Sequence, residues 1–240
     1  EGANILTRSL MIFGQGAMRA HPHLRDVFES LLHENKAKAK LAFDKNIHRH
    51  LGYLFSNAVA ALWHRVTMGF TLKKGRAPFA RSYRQIGRLS CAYAVVADVM
   101  CMILGGNLKR KERISARLGD VMSHLYIASA VLKYFVDHGE RESEKPVAKW
   151  ALEYHLFHAH QALVGALDQF PARVLASVLK ALLVPSARGY KMPGDRHDHQ
   201  VAALLQEQSP YRASLKNFCY YPDDPQDMTG VLECAFAARF

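Results

Sequence analysis

Apolar residues in the segment ISARLGDVMSHLYIASAVLKYF recur at alternating spacings of four and three: Ile114, Leu118, Val121, Leu125, Ala128, Leu132 and Phe135. That spacing is one continuous stripe on an α-helix, with Arg117, Asp120 and Lys133 lying off it. The segment before it repeats the pattern through Ile86, Leu89, Tyr93, Val96, Met100 and Ile103, and "GGN" at Gly105 to Asn107 then breaks it as a glycine C-cap does. A short basic turn joins these two helices, which predicts an antiparallel pair. A third long helix reads through Ile47, Leu51, Leu54, Ala58, Leu62 and Val66. A fourth, from Val147 to Asp168, is apolar on two sides: Trp150, Tyr154 and Phe157 line one, and Leu152, Leu156, Ala159 and Leu163 the other. Such a helix belongs inside a bundle. Pro146 suits its first turn and Pro171 follows its end.

The breakers lie between these elements. Thr71 to Pro78 and Asp137 to Pro146 read as exposed polar loops. After Pro185 the texture turns irregular, in "VPSARGYKMPGDRHDH", with short helices expected at Asp198 to Gln206 and Met228 to Ala238. No alternating strand of useful length and no internal repeat is visible. The fold class is therefore all-α: a bundle of antiparallel long helices with an irregular, short-helix C-terminal segment. Both ends stop in helical pattern and read as cuts.

Composition changes this picture little. The chain has 240 residues, 50% hydrophobic and 22% charged, as in an ordinary globular protein and unlike a disordered one. The four cysteines make no Cys-x-x-Cys pair, which fits a reducing intracellular compartment. The most apolar stretch, Leu89 to Gly106, is short for a membrane span and carries Asp98 near its middle, so a buried bundle helix is expected. No secretory leader pattern opens the chain.

Charge matters more. A net charge of +11 invites nucleic acid, an anionic membrane surface or a phosphate-bearing substrate. The densest run, "LKRKERISAR" from Leu108 to Arg117, reads first as a solvated helix start, then as a contact for a membrane surface or a partner. Nucleic acid is not expected, because aromatics are not interleaved with the basic residues as stacking platforms.

Of the thirteen histidines, nine cluster as "HPH", "HRH", "HLFHAH" and "HDH". Glu-x-x-His, needed twice for a helical di-iron site, does not occur, nor does His-Glu-x-x-His. No metal site is expected. Nucleophile elbow, P-loop and dinucleotide fingerprints are also missing, and "GQG" at Gly14 to Gly16 lies in a helical pattern, where it reads as a close-packing point.

The front of the chain, "EGANILTRSLMIFGQGAMRAHP", resembles the acyl-CoA dehydrogenases at their catalytic glutamate. "GGNLKRKERISARLGDVMSHLYIASAVLKYF", "FPARVLASVLKALLVPSARGY" and "DHQVAALLQE" resemble the long C-terminal region of the large bacterial fatty-acid β-oxidation dehydrogenase, the FadE type. The resemblance covers nearly the whole chain. It implies that Glu1 removes the α-proton of a fatty acyl-CoA while the β-hydrogen leaves as hydride to N5 of FAD, giving the trans-2-enoyl-CoA. It implies Gly2 against the acyl chain, and Ala3, Asn4 and Ile5 beside the flavin. Ala3 stands where the family usually has threonine, so a hydroxyl contact to the flavin is missing.

Further implications concern organisation and partners. FAD is held mostly by upstream domains, and electrons pass to an electron-transfer flavoprotein. Residues 1–20 end the dehydrogenase's helical domain, 21–185 form a helical bundle extension, and 186–240 its short-helix tail. The expected setting is cytoplasmic, with the protein a homo-oligomer and peripheral on the inner face of the bacterial cytoplasmic membrane. The competing class is a non-enzymatic basic helical module for membrane-surface or protein docking.

Overall fold

A computed structural model describes residues 21–32, 34–71, 77–217 and 227–239, together with Gly2, Thr7, Gly16, Cys219, Tyr220 and Pro222. Among the described residues there is helix and no strand. The elements are α1 (Leu24–Ser30), α2 (Lys36–Val66), α3 (Ala80–Leu104), α4 (Glu112–Asp137), α5 (Lys145–Asp168), α6 (Arg173–Leu183), α7 (Asp195–Gln206), α8 (Pro210–Lys216) and α9 (Met228–Ala238). The all-α fold class expected from the pattern is the one observed.

Local chemistry sets the helix ends. Asn35 caps α2, its Oδ1 accepting from the N–H groups of Ala37 at 3.0 Å and Lys38 at 3.2 Å. Gly105 ends α3 at φ 49°, a conformation that L side chains rarely adopt, and a 3₁₀ turn over Gly105–Arg110 carries the chain to α4. Ser209 and Asp227 cap α8 and α9 by accepting from Arg212 N–H and Thr229 N–H.

The chain divides into two compact units, residues 1–130 with 152–191 and residues 131–151 with 192–240. In the first, α2 and α3 run antiparallel: His64 lies near Arg88, whereas His50, earlier on α2, lies near Asp98, later on α3. The α4 and α5 segments are antiparallel in the same way, with Arg117 against Gly165 and His124 against His155. The α4 stripe is buried as expected, with Leu118, Val121 and Ala128 at 0% exposure. From α3, Leu89, Val96 and Met100 enter the same core, joined by Leu156, Leu163, Leu167 and Phe170 and by Ala176, Leu179 and Leu183 of α6. By length and composition, residues 80–108 could cross a membrane. The inner face of α3 is instead packed into this core, in keeping with the buried bundle helix expected from its length and from Asp98 near its middle.

Two expected stripes are corrected. Ile103 of α3 is 50% exposed, because it lies beside the helix end that Gly105 terminates. On α2 the inward positions are His50, Leu54, Ala58 and Ala61, not the full row from Ile47 to Val66. Leu51, Leu62 and Val66 are exposed, and so are Leu41, Phe55, Val59 and Trp63. The helix is apolar over two adjoining arcs, and a 3.6-residue period cannot say which one faces the core.

The second unit buries Leu132, Phe135 and Ala148. Trp150 Nε1 donates to Asp198 at 2.5 Å, and His197 Nε2 meets the Pro146 carbonyl at 2.9 Å. Arg212 and Lys216 of α8 both pair with Glu233 of α9. The short helices expected near 198–206 and 228–238 are α7 and α9.

Candidate functional site

Of the residues assigned to catalysis by resemblance, Glu1, Ala3, Asn4 and Ile5 lie outside the described residues. Gly2 is helical and exposed, and a Cβ added to it meets no atom within 4 Å. The packing of this chain therefore makes no demand for glycine at that position.

Two groups of polar side chains come together in the first unit. The first joins His21, at the entry to α1, with His50 of α2 and Asp98 of α3. His21 Nε2 lies 3.1 Å from Asp98 Oδ1. One ligand atom from each of the three lies within 4.8 Å of the others. His50 is 1% exposed and Asp98 3%. His50 Nδ1 and Nε2, Asp98 Oδ2 and His21 Nε2 are buried with no hydrogen-bond partner. His21 Nδ1 faces outward from the group and accepts from the N–H of Leu24 at 3.0 Å and of His23 at 3.2 Å, capping α1. Tyr53 packs edge-on against His21 and His23. Burial holds the His50 imidazole below its ordinary pKa; the Asp98 charge opposes that shift, and His21 and His23 add to it.

The second group lies where α4 meets α5. His124 Nδ1 and His155 Nδ1 share one hydrogen bond at 2.8 Å, so one of the two nitrogens carries the proton. His158 stacks on His124 at 5.4 Å between ring centres, and Tyr154 packs against His158 at 4.4 Å. Burial pushes His155 down to about 4, with the neighbouring His124 and His158 adding to the effect. His160, further along α5, bonds the Pro185 carbonyl at 2.9 Å and stacks on Tyr190, a packing role.

The spacing of histidines along the chain gives no sign of the first group. Its members come from three elements, and the useful signal was Asp98, a charge at an inward position of an apolar helix. The basic run from Leu108 to Arg117 is divided by the fold. Arg110, Lys111, Glu112 and Arg113 are exposed, while Leu108, Ile114 and Ser115 are buried.

A flavin's pyrophosphate needs cations or a cradle of N–H groups. The clustered buried atoms around His50 are imidazole nitrogens and carboxylate oxygens, a donor set for a cation. That group does not fit a flavin's pyrophosphate.

Residues 18–240 match the family described as acyl-CoA dehydrogenase, C-terminal, bacterial type. The match begins after the Glu-Gly motif and takes in both histidine groups. No solved structure matches the chain. With the match spanning the helices, the core and the polar groups just described, the chain belongs to the family of bacterial-type acyl-CoA dehydrogenase C-terminal domains.

Proposed function

We propose that the chain is the C-terminal part of an FAD-dependent dehydrogenase that oxidises fatty acyl-CoA to the trans-2-enoyl-CoA, with Glu1 as the base. The observation that carries this is the family match over residues 18–240, with a Glu-Gly motif upstream of it at Glu1 and Gly2. A thioester α-proton is a weak acid, and its removal becomes feasible when donors hold the carbonyl oxygen as enolate charge builds. A carboxylate in a water-poor pocket has a raised pKa and pulls harder on that proton. Gly2 leaves room for the acyl chain beside the base. In this reading the same protein also supplies a flavin-holding portion, into which Ala3, Asn4 and Ile5 reach, and an electron-transfer flavoprotein takes the electrons. The test is to assay the full protein for conversion of a long-chain acyl-CoA to its 2-enoyl product. Steady turnover supports the reading; none with FAD bound favours the non-enzymatic helical module.

The bundle itself has a second task. The exposed arc of α2, with Phe55 at 72%, Trp63 at 56% and Val66 at 79%, is a contiguous apolar surface of the kind that marks an interaction site. It fits either packing on the rest of the dehydrogenase, in one subunit or across a homo-oligomer, or docking on an anionic membrane. Exposed Lys36, Lys38, Lys45 and Arg49 on the same helix favour the membrane, with the enzyme peripheral on its cytoplasmic side. Liposome sedimentation of the full protein and of a form truncated before His21 separates the two. Membrane binding that survives the cut eliminates the docking role.

A further inference from the structure

The geometry points to a divalent transition-metal site, best suited to zinc, formed by His21, His50 and Asp98. Two imidazoles and one carboxylate are an established zinc donor set that leaves a fourth position open. Their ligand atoms lie within 4.8 Å of one another. Four-coordinate zinc, with bonds of about 2.0–2.1 Å, holds neighbouring ligand atoms roughly 3.3 Å apart. The His21 Nε2 to Asp98 Oδ1 distance is 3.1 Å, so that pair is already at ligand spacing. The approach is off the N–H direction, and His21 Nε2 has no hydrogen bond. Two ligands of one cation stand side by side in this way; a hydrogen-bonded ion pair would align.

The second observation is independent of spacing. His50 is 1% exposed and both its ring nitrogens lack a partner, as does Asp98 Oδ2. A buried polar atom left without a partner pays its full desolvation cost, so an unfilled cluster of this kind is rare in a native core. A cation resolves these orphans together: it takes a lone pair from each imidazole and neutralises the carboxylate. A water completes the fourth position.

Loading the site has a local consequence. His21 Nδ1 accepts from the N–H groups of His23 and Leu24, so the ring's own N–H proton sits on Nε2. Metal binding at Nε2 moves that proton to Nδ1 and breaks both cap bonds, so the first turn of α1 reorders as the ion enters. The ion then ties the entry of α1 to α2 and α3. Its role is structural and independent of the dehydrogenase assignment.

The test uses the full chain, stripped with EDTA and titrated with zinc chloride by calorimetry, with bound metal counted by mass spectrometry. The expected result is one tight zinc per chain and a Tm raised by roughly 5–10 °C at a hundredfold excess over Kd. Asp98→Asn and His21→Ala should each weaken binding at least tenfold while circular dichroism stays helical. His155→Ala, in the other histidine group, should leave it unchanged. Where a variant fails to fold, cobalt(II) on the wild-type chain decides: intense four-coordinate visible bands support the site. A weak six-coordinate spectrum overturns it. So does zinc binding that is non-stoichiometric, insensitive to both substitutions or lost with His155→Ala, and an absence of binding assigns the cluster to buried water.

Discussion

Leu118 and Ile103 hold the same rank in the hydrophobic pattern, yet the fold treats them oppositely. Leu118 is 0% exposed and sits among Val121, Leu89 and Leu163 in the first unit's core. Ile103 is 50% exposed at the end of α3. Truncating Leu118 to alanine removes fully buried methyl groups and leaves a cavity, which costs about 3–5 kcal/mol. Truncating Ile103 removes atoms that already touch water, and alanine's better helix propensity returns a few tenths, so the net cost is under about 1 kcal/mol. At roughly 2–4 °C per kcal/mol for a chain of this size, Leu118→Ala should lower Tm by about 6–20 °C and Ile103→Ala by no more than about 4 °C. Thermal melts followed by circular dichroism at the helix band read both, and urea titration checks that the slope is unchanged. Equal shifts in the two variants, or a larger one for Ile103→Ala, would refute the assignment of the core.

Other outcomes follow from the same geometry. His155, held down to about 4, binds a proton in the unfolded chain before it does so in the folded one. Stability should therefore be complete above pH 6.5 and fall between about 6.5 and 4, by roughly 1–2 kcal/mol after discounting for its partial exposure. Urea denaturation across that range should show a shallower slope in His155→Gln; an unchanged slope contradicts the assignment. Gly105→Ala should cost about 1–2 kcal/mol, because φ is 49° and the space beside it is open, so the penalty is backbone strain alone. Gly106→Ala, with no positive φ and equally open space, should cost nothing measurable in the same melts. Asn35→Ala removes the cap of α2 and should cost about 1 kcal/mol, read in the same way.

The pattern along the chain carried far where one face was buried and the other charged. On α4 all seven stripe residues are buried, with Arg117, Asp120 and Lys133 lying off the stripe. On α2 the pattern misled, since Leu51, Phe55, Leu62 and Val66 continue the apolar surface past the arc that packs. The inward place of His50 there is invisible to any hydrophobic count. α6 is short, and its inward Ala176, Leu179 and Leu183 follow helical spacing over only two turns. The His21, His50 and Asp98 group needed three dimensions, because its members meet only when α2 and α3 lie antiparallel. The family, in contrast, was legible in one dimension, through the block from Gly105 to Phe135. The catalytic assignment rests on that resemblance and on the motif at the front of the chain.

The central claim is that Glu1 is the base of a fatty acyl-CoA dehydrogenase, and its most direct test is turnover of the full, flavin-loaded protein with Glu1→Gln. A positioned base contributes about 10²–10⁴-fold, so the variant should lose at least a hundredfold in kcat while acyl-CoA binding persists. Enoyl-CoA formation within a few-fold of the wild-type rate would contradict the account.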